Sequence, residues 1–218
     1  MKLIRLVSAL ILASVLVATP AFADDIPETF QNDAPGVLPA GLTLKDVTGT
    51  GKDEGKVERV VSWNEGDGGH VAVFASTEKE GQRGGETWYS KVLYVTTFHV
   101  RDGKFTKVRA VKEAVQPCNL DMTVRFIDGS IGLTNIDGND KGELTFAYIA
   151  NCAGDVSPLG MKLLMLEGNA KYALRGGSRV DLGGGVTEGG TFKPDFKKAP
   201  RGFLEHATKV WNRHIDGR

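Results

Sequence analysis

The sequence predicts an all-β fold, either an antiparallel sandwich or a sheet resembling a propeller fragment, with one C-terminal amphipathic helix. After residue 42, apolar residues recur mostly at every second position, which is the spacing of a half-buried strand. The 28 glycines among 218 residues interrupt these runs at short intervals, as turns between antiparallel strands do. The 27 basic and 27 acidic residues balance, and this neutrality argues against nucleic acid as a partner.

Residues 1–23 have the pattern of a secretory signal peptide. Lys2 and Arg5 precede an apolar run over residues 6–19, and Ala21-Phe22-Ala23 provides a cleavage site before Asp24. An uncleaved anchor is the alternative, but the run is shorter than the ~20 residues that span a bilayer. We therefore expect a soluble bacterial protein, periplasmic or secreted, without a transmembrane segment after cleavage. Residues 24–41 carry three prolines without an apolar period and predict an extended lead-in.

The strands are predicted in chain order from residue 42 onward. The first two, residues 57–63 and 71–75, should form a hairpin across the turn-like residues 64–69. Residues 88–100 should pair with residues 105–115 across Asp102-Gly103. Further strands are predicted at residues 123–127, 144–151, 162–167 and 171–175.

A single helix is predicted at about residues 200–215, beginning at Pro200. Its apolar face consists of Phe203, Leu204, Ala207, Val210 and Trp211. This face should pack on the sheet, although a helix that binds a partner is the alternative. The glycine-rich residues 183–190 before it predict a flexible loop, and residues 42–218 show no composition break, so we expect a single domain.

Cys118 and Cys152 are the only two cysteines of the chain. An even pair in an exported protein predicts a disulfide bond, and two buried free thiols are the alternative.

Residues 46–54 and 135–143 share a pattern of Asx, Thr and Gly followed by Lys and Glu. Oxygen-bearing side chains at alternating positions, with a glycine for the bend, suit Ca²⁺. The pattern resembles the short calcium loop of the integrin-type FG-GAP and VCBS repeats. In the second copy the ligands would be Asn135, Asp137, Asn139, the Lys141 carbonyl and Glu143. The alternative is that both loops are ordinary turns rich in Asx and Gly.

Residues 133–176 contain Asp137-Gly138, Cys152-Ala-Gly-Asp155 and Lys171-Tyr172. In these motifs the chain resembles a family of exported bacterial proteins catalogued under a surface-polysaccharide-biosynthesis label. The resemblance implies a role at the cell envelope and supplies no catalytic residues. A polar pocket for a carbohydrate or an anionic ligand would be formed by Asp155, Ser157, Lys162 and Arg175. A simple turn at residues 155–158 is the alternative.

The sequence has no Gly-x-Ser-x-Gly, His-Glu-x-x-His or Cys-x-x-Cys motif and no Walker-type phosphate loop. Its four histidines, His70, His99, His206 and His214, are scattered without ligand spacing. We therefore expect a non-catalytic module, with a weak calcium loop, that binds an envelope glycan or an envelope protein. The alternative is an enzyme that cleaves surface polysaccharide through an acid pair, including Asp137 or Asp155. Exposed aromatic residues in a groove would favour glycan binding, and a close acid pair there would favour hydrolysis.

Overall fold

The computed structural model describes residues 31–33, 37–52 and 54–217. The predicted signal peptide at residues 1–23 lies outside these ranges, as does part of the predicted lead-in. Antiparallel strands dominate the described residues, and two sheets pack face to face, so the predicted all-β sandwich is confirmed. Among these residues, no helix combines the length and the apolarity needed to cross a membrane.

The first sheet is an antiparallel meander in which each strand pairs with the next along the chain. Its strands are β1 (Gln31–Asp33), β2 (Lys56–Glu65), β3 (Gly68–Arg83), β4 (Glu86–Arg101) and β5 (Lys104–Cys118). Both predicted hairpins are present, and the first has a shorter turn than expected, at Gly66-Asp67. The strand β1 lies within the predicted lead-in and pairs with β2, so that segment is not loose throughout.

The second sheet is also antiparallel and has the strand order β13-β10-β9-β8-β6, with the short β7 also paired to β8. Its strands are β6 (Asp121–Phe126), β7 (Gly132–Thr134), β8 (Glu143–Ala153), β9 (Gly160–Glu167), β10 (Ala170–Gly177) and β13 (Phe192–Asp195). The remaining strands β11 (Arg179–Gly183) and β12 (Val186–Gly189) form a separate hairpin. The prediction of a flexible loop at residues 183–190 is therefore wrong, because these glycines form the turn and one strand of that hairpin.

The main core lies between the two sheets. Phe74 from the first sheet contacts Phe146 from the second edge to face, with ring centroids 5.3 Å apart, and both side chains are fully buried. Such a pair contributes about 1 kcal/mol beyond the burial of its area. Apolar residues on alternate strand positions supply the rest of this layer, as the period-two pattern predicted.

Each sheet has a helix on its outer face. The helix α1 (Leu44–Thr48) covers part of the first sheet through Val47. The helix α2 (Phe203–Arg213) packs on the second sheet through Phe203, Ala207, Val210 and Trp211, as predicted. Leu204 is an exception, because 41% of its surface is exposed. The helix α2 also begins three residues after Pro200.

A disulfide bond between Cys118 and Cys152 confirms the predicted pair, with an S–S distance of 2.07 Å. Cys118 ends β5 of the first sheet, and Cys152 lies in β8 of the second. The bond therefore connects the two sheets near the point where the chain passes from one to the other.

Candidate functional site

The loop between β7 and β8 contains the predicted calcium ligands. Gly138 has a φ of 70°, a conformation that suits glycine at the bend. The Asp137 carboxylate accepts a hydrogen bond from the Asn139 backbone N–H at 3.2 Å, and the Asn139 side-chain oxygen accepts one from the Lys141 N–H at 2.9 Å. These are the Asx turns of the alternative interpretation, so residues 137–141 have a local reason for their shape without a cation.

Glu143 is the buried anchor of this loop. Its side chain is fully buried and accepts hydrogen bonds from the Thr134 hydroxyl at 2.8 Å and the Ile136 backbone N–H at 3.0 Å. The pKa of Glu143 is raised to about 7, chiefly because burial disfavours the charged carboxylate. The hydrogen bonds from Ile136 and Thr134 lower this pKa, whereas the nearby Asp137 and Glu167 carboxylates raise it further.

Three carboxylates converge at one end of the loop. One oxygen from each of Asp137, Glu143 and Glu167 lies within 4.8 Å of the others. The Asn139 side-chain amide donates to Asp137 and to Glu167, so a partially positive nitrogen lies between two negative groups. The structure thus brings two predicted ligands together and adds Glu167, which no local sequence pattern indicated.

The other predicted ligands occupy less favourable positions. Asn139 presents its amide nitrogen to the carboxylates, and its oxygen accepts the Lys141 N–H. The Asn135 side-chain oxygen is buried without a hydrogen-bond partner. Glu167 ends β9, one residue beyond the cross-strand pair of Leu144 with Leu166, so the sheet register places it beside Glu143.

The first copy of the predicted loop has a different structure. Residues 44–48 form α1. The Asp46 carboxylate accepts hydrogen bonds from the Thr43 hydroxyl and from the Thr43 backbone N–H, and the Thr43 hydroxyl oxygen accepts one from the Asp46 backbone N–H. Together these hydrogen bonds cap the first turn of the helix. These hydrogen bonds lower the pKa of Asp46. The two copies therefore differ in structure, because Asp46 caps a helix.

The four residues of the predicted polar pocket have separate partners. The Ser157 hydroxyl donates to the Asp155 carboxylate at 2.7 Å, which supports the turn interpretation. Lys162 pairs with Glu113 of the first sheet at 2.7 Å, and Arg175 pairs with Asp195 of β13 at 3.3 Å. Lys162 and Arg175 are neighbours across β9 and β10, but no hydrogen bond or ion pair joins them to Asp155 or Ser157.

A groove with a cavity volume of about 660 Å³ lies on the outer face of the first sheet. Alternate residues of β4 form its floor, namely Trp88, Ser90, Val92 and Tyr94. The Trp88 indole lies across Gly81 of β3, because a Cβ added at Gly81 would meet the Trp88 Cζ2 atom at 2.3 Å. The missing side chain of Gly81 therefore leaves room for the ring over β3.

Positive charge predominates around this groove. Four basic side chains (Lys52, Lys79, Arg83 and Lys112) and two acidic ones (Glu54 and Glu78) line it. Both acids already have cationic partners, since Glu54 lies 3.7 Å from Lys52 and Glu78 pairs with Lys91. Within the described part of the chain, Lys79, Arg83 and Lys112 have no carboxylate within 4.0 Å. The groove can therefore supply an aromatic surface and three uncompensated cations to one ligand.

No protein-family model, curated protein or solved structure matches the chain. The two family resemblances drawn from the sequence motifs therefore stay predictions, and the function has to be argued from the geometry alone.

Proposed function

We propose that the protein is an exported, non-catalytic module that binds an acidic polysaccharide of the cell envelope in the Trp88 groove. The observation that carries the proposal is an indole packed over Gly81, in a groove that Lys79, Arg83 and Lys112 also line. A flat aromatic face packs against the C–H face of a sugar ring, and the cations pair with carboxylate or phosphate groups on the sugar. The volume of about 660 Å³ lies within the usual range of small-molecule sites.

The acids of the groove support binding over hydrolysis. Hydrolysis needs one carboxylic acid to donate a proton and a second carboxylate to act as nucleophile or base. Glu54 and Glu78 are both exposed and ion-paired. Glu143, whose pKa is raised to about 7, is buried within its own loop and does not line the Trp88 groove, so it cannot act on a ligand bound there.

The test uses Trp88 as its own reporter. The chain has three tryptophans, and Trp63 and Trp211 are 8% and 0% exposed, so Trp88 is the one that a ligand reaches. We expect polygalacturonate to change the fluorescence saturably and neutral dextran to leave it unchanged. Trp88→Ala should weaken retention on immobilised polygalacturonate about 30-fold, which is the loss of 2 kcal/mol typical of an aromatic hot spot. Tyr89→Ala is the matched control, because Tyr89 is exposed but does not line the groove.

Equal retention of the wild type and Trp88→Ala would contradict the proposed site. Release of new reducing ends from polygalacturonate or from envelope polysaccharide, lost in Asp137→Asn or Asp155→Asn, would instead support the enzyme alternative.

We further propose that Ca²⁺ binds the carboxylates of Asp137, Glu143 and Glu167. Carboxylate oxygens are the ligands this cation prefers, and one oxygen from each of the three side chains lies within 4.8 Å of the others. A ligand that binds only the folded state stabilises it by RT ln(1 + [L]/Kd), so a hundredfold excess over Kd adds about 2.7 kcal/mol. Thermal melting should therefore shift upward with millimolar Ca²⁺ relative to EDTA. The shift should vanish in Asp137→Ala and in Glu167→Gln and persist in the charge-matched control Asp128→Asn. Identical melting with Ca²⁺ and EDTA would contradict the proposal.

A further inference from the structure

Two histidines that are far apart in the sequence meet at one end of the first sheet. His70 of β3 and His99 of β4 are direct cross-strand partners, and their ring centroids lie 5.0 Å apart. The interpretation of the four histidines as scattered single residues is therefore wrong for this pair. The β3–β4 register brings their side chains to the same face of the sheet.

Asp67, in the turn between β2 and β3, faces both histidines. Its carboxylate oxygens lie 3.2 Å from the His70 Nε2 atom and 3.8 Å from the His99 Nε2 atom. Its backbone carbonyl oxygen lies 3.2 Å from the His99 Nε2 atom. Donor atoms from all three side chains lie within 4.8 Å of one another. The Nε2 atoms of both imidazoles thus face Asp67.

These separations match those of a metal site. Ligands bound to Zn²⁺ at 2.0–2.2 Å in a tetrahedron lie about 3.3–3.6 Å apart, as the geometry of a tetrahedron requires. The His70 Nε2 atom lies 3.2 Å from Asp67 Oδ1 and the His99 Nε2 atom lies 3.8 Å from Asp67 Oδ2, so both separations are close to this range. Two neutral imidazoles with one carboxylate suit a borderline-soft divalent ion such as Zn²⁺, and a fourth position stays open to water.

The surroundings orient His70 and add negative charge. The Trp63 indole stacks on the His70 ring, with centroids 5.4 Å apart. The Glu65 Oε1 atom accepts hydrogen bonds from the Trp63 Nε1–H at 2.8 Å and the Gly142 N–H at 2.9 Å. This arrangement leaves the Oε2 atom of Glu65 facing the His70 Nε2 atom at 3.3 Å. Glu65 therefore adds a second carboxylate beside the His70 Nε2 atom.

The charge of this group is unbalanced. With neutral histidines, Glu65 and Asp67 carry two negative charges, and no Lys or Arg nitrogen of the described residues lies within 4.0 Å of either carboxylate. One divalent cation would neutralise both. Gly68 leaves room at this point, because a Cβ added there would lie 2.8 Å from the His99 Nε2 atom.

We propose that Asp67, His70 and His99 bind one Zn²⁺ ion, with Trp63 stacked on His70 and with Glu65 adding negative charge beside the ion. The ion would connect the β2–β3 turn to the end of β4. This site is separate from the Trp88 groove and does not depend on the function proposed for it, and Glu65 connects it to the Asp137 loop through the Gly142 N–H.

The experiment is a Zn²⁺ titration of the tag-free protein after treatment with EDTA, followed by calorimetry and by NMR of the histidine side chains. We expect one ion per chain at the histidines and a shift of the Nε2 resonances of His70 and His99, with those of His206 unchanged. His99→Gln and Asp67→Asn should each weaken binding at least about 100-fold. Glu65→Gln should weaken binding by a smaller factor, because it removes one negative charge near the ion.

Two control variants distinguish this site from zinc bound at another histidine or at the Asp137 loop. His206→Gln alters a histidine on α2, and Glu167→Gln alters the carboxylates of the Asp137 loop; both should keep the affinity for Zn²⁺ at the histidines. Asp67 has 69% of its side chain exposed in a turn, so Asp67→Asn tests the site in a variant that should fold normally. Absence of Zn²⁺ uptake at 100 µM, or binding that leaves both Nε2 resonances unmoved, would show that the group is only an ion-pair network and overturn the proposal.

Discussion

The buried carboxyl of Glu143 makes the stability of the metal-free protein depend on pH, and Glu143→Gln should remove this dependence. The pKa of Glu143 is about 7 in the folded protein and 4.5 in an unfolded reference. The folded state therefore holds the proton more tightly, and the stabilisation is complete below pH 4.5 and lost as the pH rises through 7. The difference of about 2.5 units corresponds to about 3 kcal/mol at 1.36 kcal/mol per unit.

The assay is thermal unfolding of the wild type and Glu143→Gln in EDTA between pH 5 and 8.5. About 2.5 kcal/mol of this difference falls between pH 5 and 8.5, and at this chain length 1 kcal/mol shifts Tm by about 2–4 °C. The wild type should therefore lose about 5–10 °C across this range relative to the variant. The glutamine keeps an acceptor for the Ile136 N–H and the Thr134 hydroxyl without carrying a charge, so the variant serves as the baseline for all other titrating groups. Parallel Tm curves for the two proteins from pH 5 to 8.5 would refute the reasoning.

Three further changes test other parts of the structure. Replacing Cys118 and Cys152 together by Ser should lower the unfolding free energy, measured in urea, by about 4 kcal/mol, because the bond closes a loop with a sequence separation of 34; an unchanged midpoint would contradict this. Gly81→Val should displace the Trp88 indole, shift its emission and abolish polygalacturonate retention while the far-ultraviolet circular dichroism stays the same. Trp211→Ala should cost about 3–5 kcal/mol in the same urea assay, because this indole is fully buried under α2.

The strands that could be predicted are those with one buried face, because burial places an apolar residue at every second position. The hairpin across Asp102-Gly103 is an example, since a turn-forming pair lies between two alternating runs. The strands β11 and β12 gave no such signal because most of their residues are exposed, so no face had to be apolar. The short α1 was missed because a single turn has too few residues to show a helical period.

The candidate sites depend on cross-strand register, which local patterns do not contain. Asp137 and Glu143 are close in the sequence and could be predicted, whereas Glu167 reaches them only through the pairing of β8 with β9. A signal for the histidines did exist. A two-residue turn at Gly84-Gly85 pairs residues at equal distances on either side of it, and this pairing places His70 opposite His99. That turn was not predicted because the residues around it are polar on both faces of the ribbon.

The Trp88 groove follows from a mismatch between the lengths of the first sheet and of the helix that covers it. Strands β3 and β4 have 16 residues each and extend about 50 Å, whereas the five residues of α1 span about 7.5 Å. The outer face therefore continues beyond its cover, and an aromatic residue there is not required for the core. Trp88→Ala should accordingly change the unfolding free energy by about 1 kcal/mol or less while weakening polysaccharide binding, the reverse of what Trp211→Ala should do. Equal destabilisation by the two variants in urea would mean that Trp88 is a packing residue. Trp88 would then no longer support a sugar as the ligand of the groove.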